Sequence, residues 1–376
     1  MWKIPLFKMY WDEDDISLVN DAIRSGMNWA AGPLISEFEQ KIAEYIGTKY
    51  CLTFNSGTSA LHAALLAHGI KPNDEVIVPS FTFIATANAP QFVGAKPVFA
   101  DIERETFGLS PDSVKEKITK KTRAILPVHY GGCPCKIKEL REIADEHDIL
   151  LIEDAAEAFG ADIDGKMIGT FGDSAMMSFC QNKIITTGES GAMVTDSRDL
   201  YEKMKLIRSH GRLETADYFS TTATMDYISL GYNFRISNIT AALGLAQMKK
   251  VDAIIAMRRA DAAYYMDQLQ KKIPACTIIK PPLHYHHVYQ LFSIMVEKRD
   301  ELMHHLEKQG IMTKVYFSPV HQTHFYKNVL KCHDSLPVTE QVANEIISLP
   351  FYPGITRGEI DYVISEIEKF FGGSSE

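Results

Sequence analysis

No apolar run in this 376-residue sequence approaches the roughly 18 residues that a membrane-spanning helix needs. The start, "MWKIPLFKMYWDEDD", has neither the apolar segment nor the cleavage site of an export signal. Positive charge is also short: 39 Lys and Arg face 48 Asp and Glu, a net charge of −9 that argues against nucleic acid as the main partner. A small anionic ligand stays open, because local clusters decide that. The six cysteines (Cys51, Cys133, Cys135, Cys180, Cys276, Cys332) show no disulfide framework, so reduced thiols in a cytoplasm are expected. Neither "CPC" at 133–135 nor "HYHH" at 284–287 has the spacing of a metal site, so no metal is expected. No G-x-G-x-x-G occurs, which removes the dinucleotide fingerprint. "GADIDGKM" mimics a triphosphate-binding loop in spacing but lacks its Ser/Thr and helix, and it reads as a turn on Asp164-Gly165.

What is present is helix alternating with short apolar strands from about residue 50 to 200. "TSALHAALLAHG", "ATANAPQFVG" and "IKELREIADEHD" read as helices; "EVIVPS", "KPVFADI", "TRAILPVHY" and "ILLIED" read as strands. Continuous Val/Ile/Leu strands indicate a mostly parallel sheet covered on both faces, a doubly wound α/β layout. A long Ala- and Met-rich helix over "ISNITAALGLAQMKKVDAIIAMRRADAAYYMDQLQ" bridges to a second unit from about residue 255. There "HVYQLFSIMV" (strand), "DELMHHLEKQG" (helix), "IMTKVYF" (strand) and two closing helices predict a smaller α+β domain.

Three features point toward chemistry, each with a plain alternative. Lys183 lies between two apolar β-prone runs, "SAMMSF" and "GAMVTD". It is either a loop lysine or one whose covered setting favours the neutral, nucleophilic amine. Asn55-Ser56-Gly57-Thr58 opens into a helix, which makes either an anion site or a simple N-cap. Glu153-Asp154 ends a buried strand, with Glu157 following. A carboxylate there is a metal ligand, an acid/base group or a turn cap. Together they match the needs of pyridoxal phosphate: an anion site for its phosphate, an Asp for its ring nitrogen, and a lysine for its aldehyde.

Over nearly its whole length the chain resembles the DegT/DnrJ/EryC1/StrS family of pyridoxal-phosphate-dependent nucleotide-sugar aminotransferases. The resemblance runs in order through "GPLISEFEQKIAEYIGTKYCLTFNSGTSALHAAL", "DEVIVPSFTFIATANA", "PVHYGG", "IEDAAEAFGA", "SFCQNKIITTGESGAMV", "GYNFRISNITAALGLAQM" and "LPFYPG". It implies the aspartate aminotransferase type I fold, with a large cofactor-binding domain over 1–254 and a small domain over 255–376. It further implies Lys183 as the Schiff-base lysine and proton carrier, and Asp154 as partner of the ring nitrogen. Phe83 would lie against the cofactor face, and Gly57, Thr58 and Ser178 would hold its phosphate. Asn233 would reach the phosphate of a neighbouring subunit, giving a homodimer with shared sites. Glu157 stands near the phenolic oxygen, where a glutamate is similar to the perosamine-synthase-like branch.

Each carried-over residue keeps a structural alternative: core packing for Phe83, a strand-end hydroxyl for Ser178, helix capping for Asn233 and Arg235. The reaction implied moves an amino group from L-glutamate to a nucleotide-linked 4-keto-6-deoxyhexose. Candidates for holding that substrate are His210, Arg212 and Arg235, with His321 and His324 closing from the small domain. Two departures from the family stand out. Ser190 replaces a usual glycine, with strain expected if its φ is positive, and Cys180 replaces an aromatic or His. Lysine rather than histidine at 183 argues for transamination over C-3 dehydration. An amino-shikimate-type dehydratase and a regulator without turnover are the rivals.

Overall fold

Seven strands form the main sheet of the computed structural model, which describes residues 2–213, 222 and 224–372. Helices α1 (Glu13–Arg24) and α2 (Pro33–Ile46) lead into β1 (Tyr50–Phe54) and α3 (Gly57–Ala67). Next come β2 (Glu75–Pro79), α4 (Ile84–Phe92), β3 (Lys96–Ala100), α5 (Pro111–Lys117), β4 (Thr122–Ile125), α6 (Ile137–Glu146) and β5 (Leu150–Asp154). A hairpin of β6 (Asp162–Ile163) and β7 (Lys166–Met167) precedes β8 (Ser174–Ser178) and β9 (Gly191–Thr195).

The order across the main sheet is β1-β9-β8-β5-β4-β2-β3. β9 pairs antiparallel with both neighbours, and all other adjacent pairs are parallel. Burial is nearly continuous along the strands, as a sheet covered on both faces requires. Leu151, Ala175 and Met177 join one core cluster, while Ile152 and Met176 join another on the opposite face. The turn between β6 and β7 lies on Asp164-Gly165, both at positive φ (54° and 79°). This is the turn expected of the "IDGK" stretch.

The second half departs from the sequence reading in three places. The long helix is two: α7 (Arg198–Arg208) is followed by α8 (Asn238–Met248) and α9 (Val251–Lys272), broken at Lys249-Lys250. At the break the buried Lys250 ammonium bonds Asp12, and it bonds Asp15 of α1 at 2.7 Å. That long-range pairing sets the bend. "HVYQLFSIMV" is not one strand: after β10 (Thr277–Ile278) and β11 (Tyr285–His286), only β12 (Ser293–Met295) is extended in a sheet, and Tyr289 turns the chain at φ 51°. "IMTKVYF" forms no strand. It makes single bridges, Ile311 to Ile4 and Lys314 to Ser348, beyond α10 (Arg299–Lys308). The helices α11 (Pro337–Glu345) and α12 (Arg357–Gly372) flank β13 (Ile346–Ser348), which pairs with β12. A third core built from Ala262, Tyr265, Ile294, Leu302, Val363 and Ile4 among others lies under them.

Candidate active site

The parallel strands deliver their last residues to one edge of the sheet, where ligands of such sheets bind. β5 ends there in Asp154, which is 4% exposed. Its Oδ2 accepts from Thr86 Oγ1 at 2.7 Å and its Oδ1 from the Ala156 N–H at 3.1 Å. Thr86, in the first turn of α4, shares a 2.8 Å hydrogen bond with Thr82 and is thereby fixed in rotamer. Burial pushes the Asp154 carboxyl above its ordinary range. The Thr86 and Ala156 hydrogen bonds and the charge of Lys183 pull the other way, and Glu157 adds to the rise. The carboxylate therefore lacks enough positive charge around it, and a cationic ring nitrogen would supply it.

Lys183 is carried on the loop between β8 and β9. Phe179 closes that loop at its neck: its N–H donates to Ser190 O at 2.9 Å, and its carbonyl accepts from Thr187 N–H at 3.0 Å. The Lys183 side chain is 15% exposed, and its Nζ donates to Glu157 Oε1 at 3.4 Å. The lysine thus sits in a covered site without belonging to a strand. Glu157, itself buried, also accepts from the Gly131 N–H at 2.8 Å through Oε2. The adjacent Gly132 has φ 92°, and a Cβ there would lie 2.7 Å from Val288 and 2.9 Å from Gln290 N. Only glycine fits that position.

Helix α3 begins at Gly57, with Ser56 as N-cap and Ser59 completing a capping box. Ser178 lies beside it, its Cβ 3.5 Å from where a Gly57 Cβ would stand. Capping and an anion site are compatible here, because the cap engages Ser59 N–H while Gly57 and Thr58 begin the helix. Phe83 is 59% exposed, so it is not core packing; its ring lies 6.1 Å from that of Phe317. These residues fit pyridoxal phosphate: a helix start with a flanking hydroxyl, an undercompensated buried carboxylate, a covered amine and an open aromatic face.

Ser190 resolves differently from the strain considered above. It is not among the residues at positive φ; it is buried, and its Oγ shares a 2.6 Å hydrogen bond with Thr187 Oγ1. The position that demands glycine is the next one, where a Gly191 Cβ would lie 2.5 Å from Gly57 N. Ser190→Gly is accordingly expected to destabilise the protein by about 1–2 kcal/mol, through the lost hydroxyl pair and added backbone freedom. Urea unfolding of the two proteins measures this, and a more stable Ser190→Gly protein would contradict it.

Asn233 is exposed, and its backbone carbonyl accepts from Asn55 Nδ2 at 3.4 Å, beside the start of α3. His210 is exposed at φ 63°, with its N–H on Tyr232 O. Arg212 is 9% exposed, and Arg235 is partly buried next to Asn233. His321 is not an open donor: it is 4% exposed, with Nδ1 2.6 Å from Ser80 Oγ and Nε2 3.3 Å from Glu340. Both ring nitrogens are used within the fold. His324 is exposed. Cys180 Sγ lies 3.5 Å from Glu189, and nearby burial raises the thiol above its ordinary range.

Sequence reasoning missed Thr86, Gln290 and Tyr316. Tyr316 is partly buried; burial raises its hydroxyl above its ordinary range, and the Glu157 charge adds to the rise. The Tyr316 carbonyl accepts from Tyr130 Oη at 2.5 Å.

A covered lysine and a buried aspartate at the carboxyl edge of a mostly parallel sheet are what pyridoxal phosphate on the type I fold requires. Residues 10–368 match the DegT/DnrJ/EryC1/StrS aminotransferase family. The chain belongs to that family. It is 36% identical over 368 residues to GDP-perosamine synthase of Escherichia coli O157:H7, covering 98% of each chain. Among solved structures, S. venezuelae DesV, in complex with a ketimine intermediate, superposes with a TM-score of 0.90 at 32% identity, covering 98% of this chain and 99% of that one. NtdA of Bacillus subtilis, solved with bound cofactor PMP, superposes with a TM-score of 0.85 at 31% identity over 94% of this chain and 80% of that one. These matches favour neither the dehydratase nor the regulator without turnover. Among the described residues, no helix is long and apolar enough to cross a membrane.

Proposed function

We propose that this enzyme moves an amino group from L-glutamate to the keto carbon of a nucleotide-linked 4-keto-6-deoxyhexose, as a cytoplasmic homodimer with shared sites. The observation that carries the reading is the Lys183–Glu157 contact of 3.4 Å beside the Thr86-held Asp154. When bound, pyridoxal phosphate supplies an aldehyde to carry the amino group and a ring that withdraws electrons from the reacting carbon.

Lys183 Nζ is the amine that would hold the aldehyde. As a free amine it would be the general base that takes the proton from the donor's Cα and, in the return half, the acid that gives a proton to the sugar carbon receiving the amino group. Glu157 orients that nitrogen and bears its charge while it is protonated. Asp154 would keep a proton at the ring nitrogen, and the Thr86 hydroxyl keeps the carboxylate aimed. Gly57, Thr58 and Ser178 bind the phosphate, joined by Asn233 of the partner subunit, and Phe83 covers the ring face. His210, Arg212 and Arg235 supply donors and cationic charge for the sugar diphosphate. The same reading divides the chain within α9, where the notional cut at 254/255 falls slightly early: Ile254 and Ile255 pack in the core of the large sheet, whereas Ala262, Tyr265 and Leu269 further along pack in the third core.

The test is the visible absorption spectrum of purified protein with pyridoxal phosphate, before and after L-glutamate. A bound-cofactor band that decays with glutamate and is absent in Lys183→Ala is expected. A band that ignores glutamate would exclude glutamate as donor, and no band would exclude the cofactor role of Lys183.

A further inference from the structure

Segment 287–291 passes under the site outside any sheet and touches both halves of it. Val288 N–H donates to Gly132 O and Leu291 N–H to Gly131 O, both at 3.1 Å, so the segment is fixed to the turn whose N–H holds Glu157. Gln290, 3% exposed, reaches the other half: its side-chain Nε2 donates to the Asn182 carbonyl. That carbonyl belongs to the peptide whose N–H is that of Lys183, and this N–H donates to Cys180 O at 3.0 Å. The peptide preceding Lys183 is therefore gripped at both its polar atoms. Its plane sets the direction in which the lysine side chain leaves the backbone. The brace behind Gln290 is rigid too, since the buried Arg258 guanidinium donates to Tyr289 O at 3.1 Å and Gln290 O at 3.4 Å.

The other end of the Gln290 amide makes the choice of residue informative. Its Oε1 is buried and has no hydrogen-bond partner among the described residues. It lines a small cavity with Asn182, Leu291, Tyr316 and Ser348. An unpaired buried amide oxygen destabilises a fold, so an apolar side chain of similar size would suit the packing at least as well. Turning the amide over would set two acceptors against each other at Asn182, so the orientation is fixed by the one bond it makes.

We propose that Gln290 is a positioning residue for Lys183: it locks the Asn182–Lys183 peptide to the Gly131–Glu157 turn and so aims the lysine amine at the reacting atoms. The inference rests on the proposed role of Lys183, and its test separates the two. Cofactor-free protein is mixed with pyridoxal phosphate, and the rate of covalent attachment is followed by absorption across pH. The proteins compared are wild type, Gln290→Leu, Gln290→Glu and Lys183→Ala, with thermal unfolding of each alongside.

Gln290→Leu is expected to attach the cofactor about tenfold more slowly or worse at every pH, the penalty of a misaimed group, without loss of thermal stability. Gln290→Glu can donate to Asn182 only when its carboxyl is protonated, and burial raises that titration. Its rate relative to wild type is therefore expected to be highest at low pH and to fall as pH rises. A wild-type rate in Gln290→Leu, or a pH-independent ratio in Gln290→Glu, would overturn the positioning role while leaving the reading of Lys183 intact. Should Gln290→Leu fail to fold, the ratio for Gln290→Glu decides. Covalent attachment in Lys183→Ala would instead overturn the functional reading itself.

Discussion

Replacing Lys183 by alanine is expected to lower turnover by about 10⁴-fold or more, since a general base alone is worth about 10²- to 10⁴-fold and the covalent anchor goes with it. The amine stands alone in its role: Glu157 beside it is an acceptor already engaged by the Gly131 N–H, and Asp154 is bound by Thr86 and Ala156. Neither can both attach an aldehyde and carry a proton. Lys183→Arg sharpens the test. The guanidinium keeps a positive charge for Glu157 but does not deprotonate at any working pH, so it should fold normally and be as inactive as the alanine variant. Single-turnover conversion of the bound cofactor by L-glutamate reads both. Turnover within tenfold of wild type in either variant would remove Lys183 from the chemistry.

The largest effect on stability is expected one residue before Asp154. Glu153 is fully buried and accepts four hydrogen bonds: from the N–H groups of Gly169, Phe171 and Gly172 at 3.0, 2.9 and 2.7 Å, and from His129 Nε2 at 3.1 Å. His129 Nδ1 accepts from the Cys135 N–H at 3.1 Å, so Nε2 is the nitrogen that carries the proton toward Glu153. One carboxylate thus pins the loop before β8 and the turn after β4 to the end of β5. Glu153→Ala strands these donors away from water and should destabilise by about 3–5 kcal/mol. Urea unfolding of the cofactor-free protein would show it, and a change under about 1 kcal/mol would refute the argument. Because the His129 backbone N–H donates to the Asp154 carbonyl at 3.1 Å, activity should fall with stability.

The covered setting of Lys183 and the buried strand-end position of Asp154 were legible in sequence because their signals are local: an amine between apolar runs, and acids at the end of a continuous apolar strand. The groups that contact them or their backbone were not. Thr86 meets Asp154 from 68 residues away, and Gln290 meets Asn182 from 108. No periodicity encodes such pairings. Gln290 was further hidden inside a stretch read as one strand, in which a lone glutamine is merely the polar face; the chain instead turns at Tyr289. His321 misled for the opposite reason. Its residue type suggests an available donor, while its exposure, and the claims of Ser80 and Glu340 on its ring, exist only in the fold. The helix break at Lys250 was likewise invisible, because both acids that cause it come from the chain's first turn of helix and its cap.

The reversed direction of β9 has a mechanical meaning. Since β9 runs against β8, the chain leaves and re-enters the sheet at the same edge, with Ser178 paired to Gly191 at the neck. The lysine is carried on a lariat, its two feet tied to adjacent strands and its knot drawn at Phe179. A length change between the feet would lengthen or shorten the reach of one amine and leave the carboxylate, the helix start and the order of strands where they are. The reach of the amine is thus set by the loop, which is tied at Phe179 and steadied by Gln290, and the other groups of the site are set by the sheet.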